Sequence, residues 1–418
     1  MTTNRARHDA TGMGQNIIVR LDALTACTDE PGRITRLYLG PAHRKAADLV
    51  ATWMKEAGLS TRVDAVGNVI GRYEGASDGA PALLIASHID SVPNAGKFDG
   101  TLGVVTAIEV VSRLHRSRKR LPFAIEVVAF GDEEGSRFPS TLGGSRALAG
   151  TFDPAILEET DASGVSRRAA LTAFGCDLTR IHDEARQPED IVGYIEVHIE
   201  QGPVLEAKGI PVGVVTAING ATRGTIEVRG VGGHAGTIPM TLRRDAYCAS
   251  AEMALAIEAR ARAESDLVAT VGRIDIPGAV VNSVPGLARF TIDVRSPTDD
   301  RREAAIDDIR RTLQEIATRR QVEIEITLGY QAPAAVCDPN LSGRLAEAIG
   351  RQDIEPLRLP SGAGHDAMSF RGLFPISMLF VRCRGGISHN PAEHASVADI
   401  DVAARVLADF VDSLGHDS

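Results

Sequence analysis

The sequence predicts an α/β fold, a mixed and mostly parallel sheet, interrupted by a smaller α+β segment. Three observations carry this. Buried strand-like runs alternate with helix-spaced runs over 82–130 and a further strand-like run follows at 191–197, the alternation that builds parallel sheets. Over 216–328 the order changes to successive strands with two long helices among them. Over 375–414 an apolar run and a closing helix return to the first pattern.

The elements follow in order. Ala46, Leu49, Val50, Trp53, Met54 and Ala57 recur at helical spacing over 41–57, and Gly58 stops that helix. Residues 61–65 and 69–73 flank Gly67 and Asn68 and form two short strands joined by a turn. A buried strand at 82–87, a helix at 102–114 and strands at 123–130 and 191–197 come next. The basic cluster at 115–120 sits at a helix end, where cations suit the dipole. The interrupting segment places a strand at 224–228, a helix at 242–262, strands at 267–274 and 288–294, a helix at 299–319 and a strand at 322–327. A strand at 375–381 and a helix at 397–414 finish the chain. The expected division is therefore 1–215 with 330–418 as one domain and 216–329 as an insertion.

At roughly 150 residues per domain, 418 residues allow two or three domains. Apolar residues at 44% and charged residues at 24% exclude a disordered or fibrous chain. A net charge of -10 repels phosphate backbones and anionic lipid, so neither nucleic acid nor membrane is expected as a partner. No apolar run approaches the ~20 residues of a membrane span, and 1–20 lacks a signal-peptide core. Five scattered cysteines with no C-x-x-C pair fit a reducing compartment, and the expected location is cytoplasmic.

In a parallel sheet, ligands gather beyond the carboxyl ends of the strands. His88 directly follows the strand at 82–87, with Asp90 and Asp99 close behind. Taken alone, Asp99 before Gly100 would be a helix cap. Glu133 and Glu134 follow the strand ending at Phe130, His198 follows the strand at 191–197, and His389 follows the strand ending at Val381. Singly each has an ordinary structural role; together they make a cluster. Imidazole and carboxylate without cysteine suit Zn²⁺, Mn²⁺, Co²⁺ or Ni²⁺ rather than the all-oxygen shell of Ca²⁺.

These segments resemble the hydantoinase/carbamoylase-type amidases, a branch of the dinuclear metallopeptidase-like amidohydrolases, over nearly the whole chain. The resemblance implies two divalent transition metal ions per subunit, Mn²⁺ or Zn²⁺ with Co²⁺ or Ni²⁺ as further options. His88, Asp99 and His198 would hold one, and Asp99, Glu134 and His389 the other, with Asp99 bridging. Asp90 would orient His88, and Glu133 would act as general base. His234, in the glycine-rich 230–240 loop, would donate to the oxyanion. Asn282 and Arg295 match the family's carboxylate-binding pair, for which a planar arginine fork is suited. Gln201 would touch substrate, as would Gly362, Ala363 and Gly364, whose glycines allow close backbone approach. His365 and Asp366 have two open roles, helix cap or support of the site.

The resemblance further implies that the inserted domain is a lid and a homodimerisation surface, and that the substrate is a small ureido carboxylate. The run 378–393 is more similar to the branch that hydrolyses allantoate to ureidoglycine (which decays to ureidoglycolate), ammonia and carbon dioxide. The alternative is an N-carbamoyl-L-amino acid, which presents the same carboxylate and one ureido group. Two weaker motifs compete. Gly230, Gly232 and Ala235 satisfy G-x-G-x-x-A, but Pro239 falls where a phosphate-binding helix should run. Gly143-Gly-Ser145-Arg-Ala147 resembles a nucleophile elbow, but it lacks the last glycine and follows no clear strand. A catalytically silent binding protein is the non-enzymatic alternative, and such a protein would have no need of Glu133.

Overall fold

The computed structural model describes residues 12–415. They form two compact units, one holding the chain up to Thr216, Cys337–Leu359 and everything from His365 onward, the other Ala217–Val336 with Pro360–Gly364.

In the first unit the sheet runs, in spatial order, Ser60–Val63, Val69–Tyr73, Ala124–Phe130, Ala82–His88, Ile191–Ile199, Ile376–Val381 and Val212–Ile218. The four strands from Ala124–Phe130 to Ile376–Val381 are mutually parallel, and antiparallel strands flank them. Every residue of Ala82–His88, Ala124–Phe130 and Ile376–Val381 is buried, which is why these runs are apolar without alternation. The helices Met13–Leu24, Thr101–Arg116, Pro339–Gly350 and Val397–Leu414 add Ile17, Leu21, Ile108, Leu345, Leu407 and Phe410 to one core with Leu83, Ile85 and Val127.

Strand order positions the site. From Ala82–His88 the chain crosses through Thr101–Arg116 to Ala124–Phe130 on one side, while Ile191–Ile199 lies on the other. The order thus reverses at Ala82–His88, and such a reversal opens a crevice beyond the carboxyl ends of the strands. The register sets Ile85 beside Ile195 and Phe380 beside His198, so His88 and His198 finish in line.

The second unit is an antiparallel sheet of Ile274–Asp275, Leu287–Ser296, Gly220–Arg229 and Glu323–Ala332, with Val268–Thr270 also paired to Leu287–Ser296. Ala288, Phe290, Ile292 and Val294 alternate inward and pack with Met253, Ile257, Ile309 and Leu313 of the helices Ala246–Arg262 and Asp299–Arg320. The first of these helices starts four residues later than the sequence suggests, because Asp245 caps it, its Oδ1 accepting from Cys248 N at 3.0 Å. The strand expected at 267–274 is two short ones. Pro360–Gly364 is tied to this unit through Asn219 N–H donating to Ser361 O at 2.9 Å and Arg295 Nη1 to Gly362 O at 2.7 Å. Among the described residues no helix is long and apolar enough to cross a membrane.

Candidate active site

Asp99 is the centre of the cluster in the first unit. Its Oδ1 lies 3.3 Å from His88 Nε2 and 3.2 Å from His198 Nε2, and its Oδ2 lies 3.5 Å from His389 Nε2. His389 Nε2 is also 3.3 Å from Glu134 Oε2. Asp99 does not cap the helix that follows: Thr101–Arg116 begins after Gly100 with no side-chain cap. Instead Asp99 Oδ2 accepts from Gln201 Nε2 at 2.8 Å and from the Ser388 hydroxyl. Gln201, expected at the substrate, therefore has its amide engaged with Asp99.

The imidazoles show which nitrogen faces the cluster. His198 Nδ1 is 2.9 Å from the Ile199 carbonyl and His88 Nδ1 is 3.2 Å from the Asp90 carbonyl. Each Nδ1–H donates there, which turns Nε2 toward Asp99. That position takes either a proton or a metal ion: burial disfavours charge on both rings, but the surrounding carboxylates, Glu133, Asp90 and Asp99 around His88 and Asp99 beside His198, raise both imidazoles above their ordinary value when no metal is bound. Asp90 Oδ1 lies 3.5 Å from His88 Nδ1, beside that ring. Its carboxylate does more, accepting the backbone N–H of Glu133 and of Glu134, each at 3.2 Å.

Burial of so many carboxyls shows in their protonation. Burial drives Glu133 well above the ordinary carboxylate range, against the pull of His88 and with repulsion from Glu134 and Asp366. Burial and the charge of Asp99 push Glu134 up to about 8. Burial opposes charge on Asp99 too, but the neighbouring His198 and His88 outweigh it and hold this carboxyl well below its usual range. Two sets of ligands, His88 with Asp99 and His198, and Asp99 with Glu134 and His389, each offer atoms within 4.8 Å of one another. Glu134 Oε1 is buried without a hydrogen-bond partner. An orphaned carboxylate oxygen, imidazole nitrogens converging on one carboxylate and a surplus of carboxylates together fit divalent transition metal. Two further sets have the same spacing, His88 with Glu133 and Glu134, and Glu196 with His198 and His365; in the latter Glu196 is taken up by Ser87 Oγ at 3.0 Å and the Tyr194 hydroxyl at 2.8 Å.

Several residues that hold this geometry have no local signature in the sequence. Glu393 Oε1 accepts from Phe98 N at 2.8 Å and Asp99 N at 3.0 Å, while its Oε2 accepts from Ser388 Oγ at 3.2 Å. It ties the Asp99 loop to the His389 segment. Asn68, buried, spans the loop that carries both glutamates, its Oδ1 accepting from Gly131 N at 3.2 Å and its Nδ2 donating to Gly144 O at 3.1 Å. Buried Arg167 meets Asp132 inside the same loop. His365 does not cap the short helix after it; it is buried with its ring 4.6 Å from that of His198, edge to face.

In the second unit His234 and Ser283 pair in a two-strand ribbon, and His234 and Asn282 line one cavity of about 410 Å³ with Gly233 and Gly278. His234 Nδ1 accepts from Gly236 N at 3.1 Å, so its proton sits on Nε2, free to donate. The 230–240 loop runs into this ribbon and not into a phosphate-binding helix. Arg295 stands on Leu287–Ser296 and holds the Gly362 carbonyl.

Comparison with known proteins places these observations. The family described as Peptidase family M20/M25/M40 matches residues 84–413. The chain is 41% identical to allantoate deiminase 1 of Glycine max, over 95% of this chain and 89% of that protein. It is 40% identical to an N-carbamoyl-L-amino acid amidohydrolase of Geobacillus stearothermophilus, over 94% of this chain and 97% of that one. A crystal structure of an amidase of the hydantoinase/carbamoylase family from Burkholderia multivorans superposes with a TM-score of 0.91 at 32% identity, covering 96% of this chain and 98% of that chain.

Proposed function

The chain belongs to peptidase family M20/M25/M40, and from that membership together with its likeness to allantoate deiminase 1 of Glycine max we propose that it is a metal-dependent amidohydrolase that hydrolyses a ureido C–N bond of allantoate. The products are ureidoglycine, which decays to ureidoglycolate, with ammonia and carbon dioxide. The observation that carries the metal reading is Asp99, one carboxylate with three imidazole Nε2 atoms facing its two oxygens.

On this reading His88, Asp99 and His198 would hold one divalent ion, and Asp99, Glu134 and His389 a second, with Mn²⁺, Zn²⁺, Co²⁺ and Ni²⁺ all suited to the donor set. When bound, such ions supply Lewis-acid polarisation of the ureido carbonyl and acidify water. Asp90 fixes the His88 ring and the glutamate loop together. Glu133 takes the proton of the attacking water and delivers it to the leaving nitrogen, work suited to a carboxyl that burial has raised. His234 donates from Nε2 to the oxyanion. Asn282 and Arg295 take the substrate carboxylate, the 362–364 backbone adds contacts, and Gln201, its Nε2 held by Asp99 and Ser388, has its buried Oε1 left to accept from the substrate.

A homodimer formed through the second unit belongs to the same reading, with that unit as lid. Solvent-exposed Met240, Leu242, Val280 and Val281 around the His234 and Asn282 ribbon support an interface there. Five free thiols support a cytoplasmic location.

The second reading, an N-carbamoyl-L-amino acid hydrolase, is favoured by the near-equal identity to the Geobacillus stearothermophilus relative. It uses the same residues. Ammonia and carbon dioxide release by Mn²⁺-reconstituted protein, with allantoate and a panel of N-carbamoyl-L-amino acids side by side, separates the two. Release from allantoate alone is expected; turnover of the carbamoyl amino acids alone would move the protein to the second reading, and none from either would end both.

A further inference from the structure

Arg295 is offered a carboxylate by its own chain. Its Nε donates to Asp293 Oδ1 at 2.9 Å and its Nη2 to Asp293 Oδ2 at 2.8 Å. The two residues are two apart on the strand Leu287–Ser296, so both side chains leave the same face of the sheet. Asp293 Oδ2 also accepts from Arg223 Nε at 2.9 Å, and Arg223 is the residue directly opposite Asp293 on the neighbouring strand. Arg223 lies in turn against the Tyr330 ring, its guanidinium carbon 4.9 Å from the ring centre. The third contact of Arg295 is its Nη1 donating to the Gly362 carbonyl at 2.7 Å.

Counting donors shows what this leaves. An arginine fork is planar and carries five N–H groups. Asp293 uses the Nε–H and one on Nη2, and Gly362 uses one on Nη1. One N–H remains on each terminal nitrogen, and the three bonds already made fix the plane in which both lie. The group of Arg223, Asp293 and Arg295 keeps a net positive charge, so it still attracts an anion. The Arg223, Asp293 and Gly362 contacts together hold the fork before any ligand arrives, and that preorganisation favours binding.

We infer that Asp293 is a positioning residue, presenting the terminal nitrogens of Arg295 to the substrate carboxylate and itself held by Arg223. The inference rests on Arg295 being the carboxylate contact. It has an opposite with a measurable sign. If Asp293 instead occupied the place of the substrate carboxylate, removing its charge would tighten binding.

The experiment uses the full-length, Mn²⁺-loaded protein and compares kcat/KM for a carboxylate substrate (allantoate or an N-carbamoyl-L-amino acid, whichever is turned over) with that for its primary carboxamide. The ratio is measured for the parent, Asp293→Asn, Arg223→Gln and Arg295→Met, with folding checked by circular dichroism. Asp293→Asn is expected to raise KM for the carboxylate and narrow the ratio on the order of tenfold, short of the roughly hundredfold cost of a misplaced contact. Arg223→Gln is expected to narrow it in the same direction and by less. An unchanged ratio, a lower KM, or equal losses on both substrates in Asp293→Asn would overturn the inference while Arg295→Met still narrowed the ratio. An unchanged ratio in Arg295→Met would instead overturn the reading of Arg295 on which it stands.

Discussion

Replacing Arg167 by methionine tests how the glutamate loop is held. Arg167 is fully buried; its Nη1 meets Asp132, and its Nη2 donates to Ser140 O at 2.8 Å and to Glu159 Oε2 at 3.1 Å. Methionine keeps most of the stem but removes the guanidinium, whose carbon lies 4.5 Å from the centre of the Phe138 ring, and leaves the equally buried Asp132 without its partner. Breaking a buried pair from one side costs about 3–5 kcal/mol. Burial already pushes the Asp132 carboxyl up to about 7, against the pull of Arg167, and without Arg167 it moves higher. A carboxyl raised above its unfolded value of about 3.9 stabilises the fold fully below that value and loses the contribution as pH rises through the folded one. The loss in Arg167→Met is therefore largest near pH 8 and smaller near pH 5, where Asp132 is protonated in the fold. Urea unfolding of metal-free protein measures this, followed by the fluorescence of Trp53, the single tryptophan and a residue of the first unit. The expected loss at pH 8 is about 3–5 kcal/mol, with part recovered by adding Asp132→Asn. A loss below about 1 kcal/mol at pH 8, or an equal loss at both pH values, would refute the buried-pair account.

Two further outcomes concern the chemistry. Glu133→Gln is expected to lower kcat by about 10²–10⁴-fold with metal content unchanged by elemental analysis; a parallel loss of metal would make Glu133 a ligand and remove it as the base. If two ions bind as proposed, Asp99→Asn is expected to lower both equivalents together, since the two sets proposed as ligands share Asp99. Retention of either equivalent after gel filtration would separate the two sets.

The parts of the fold that were legible share one cause. Ala82–His88, Ala124–Phe130 and Ile376–Val381 are buried on both faces, so they stand out as apolar runs, and the polar residues that end them are conspicuous. The candidate cluster stood out because His88, Glu133, Glu134 and His198 sit at or just after buried strands, whereas Asp99 and His389 lie further along the loops that follow theirs. The short helix Gly143–Leu148 was not, because Gly143 and Gly144 mimic a loop. Their reason is contact: a Cβ at Gly144 would stand 2.3 Å from Asn68 Oδ1, and one at Gly143 2.8 Å from Asp132 Oδ2. The apparent nucleophile elbow is thus the place where the glutamate loop closes on Asn68 and Asp132. Pro339–Gly350 carries its own start signal, Asp338 before a proline, and Asp338 Oδ1 accepts from Asn340 N and Leu341 N at 2.9 Å each.

What no local pattern reveals is orientation. Asp90 grips the amides of Glu133 and Glu134, and Glu393 grips those of Phe98 and Asp99 from 294 and more residues away. Both use a carboxylate to hold the backbone beneath another carboxylate, so the site gains rigidity by accumulating negative charge in a buried place. Burial with the charge of Asp99 raises Glu393 to about 7 and Glu134 to about 8. Carboxyls raised in this way stabilise the fold below their unfolded values and lose that contribution as pH climbs through the raised ones, so the metal-free cluster weighs on the fold most at neutral and alkaline pH. A bound divalent ion would reverse the sign for Glu134 and the imidazoles at once, because the carboxylate and neutral-imidazole forms would then have a partner, while Asp99 is already held in its charged form by His198 and His88. The groups that form the site and the groups that make it costly when empty are the same, and this couples metal affinity to the stability of the first unit.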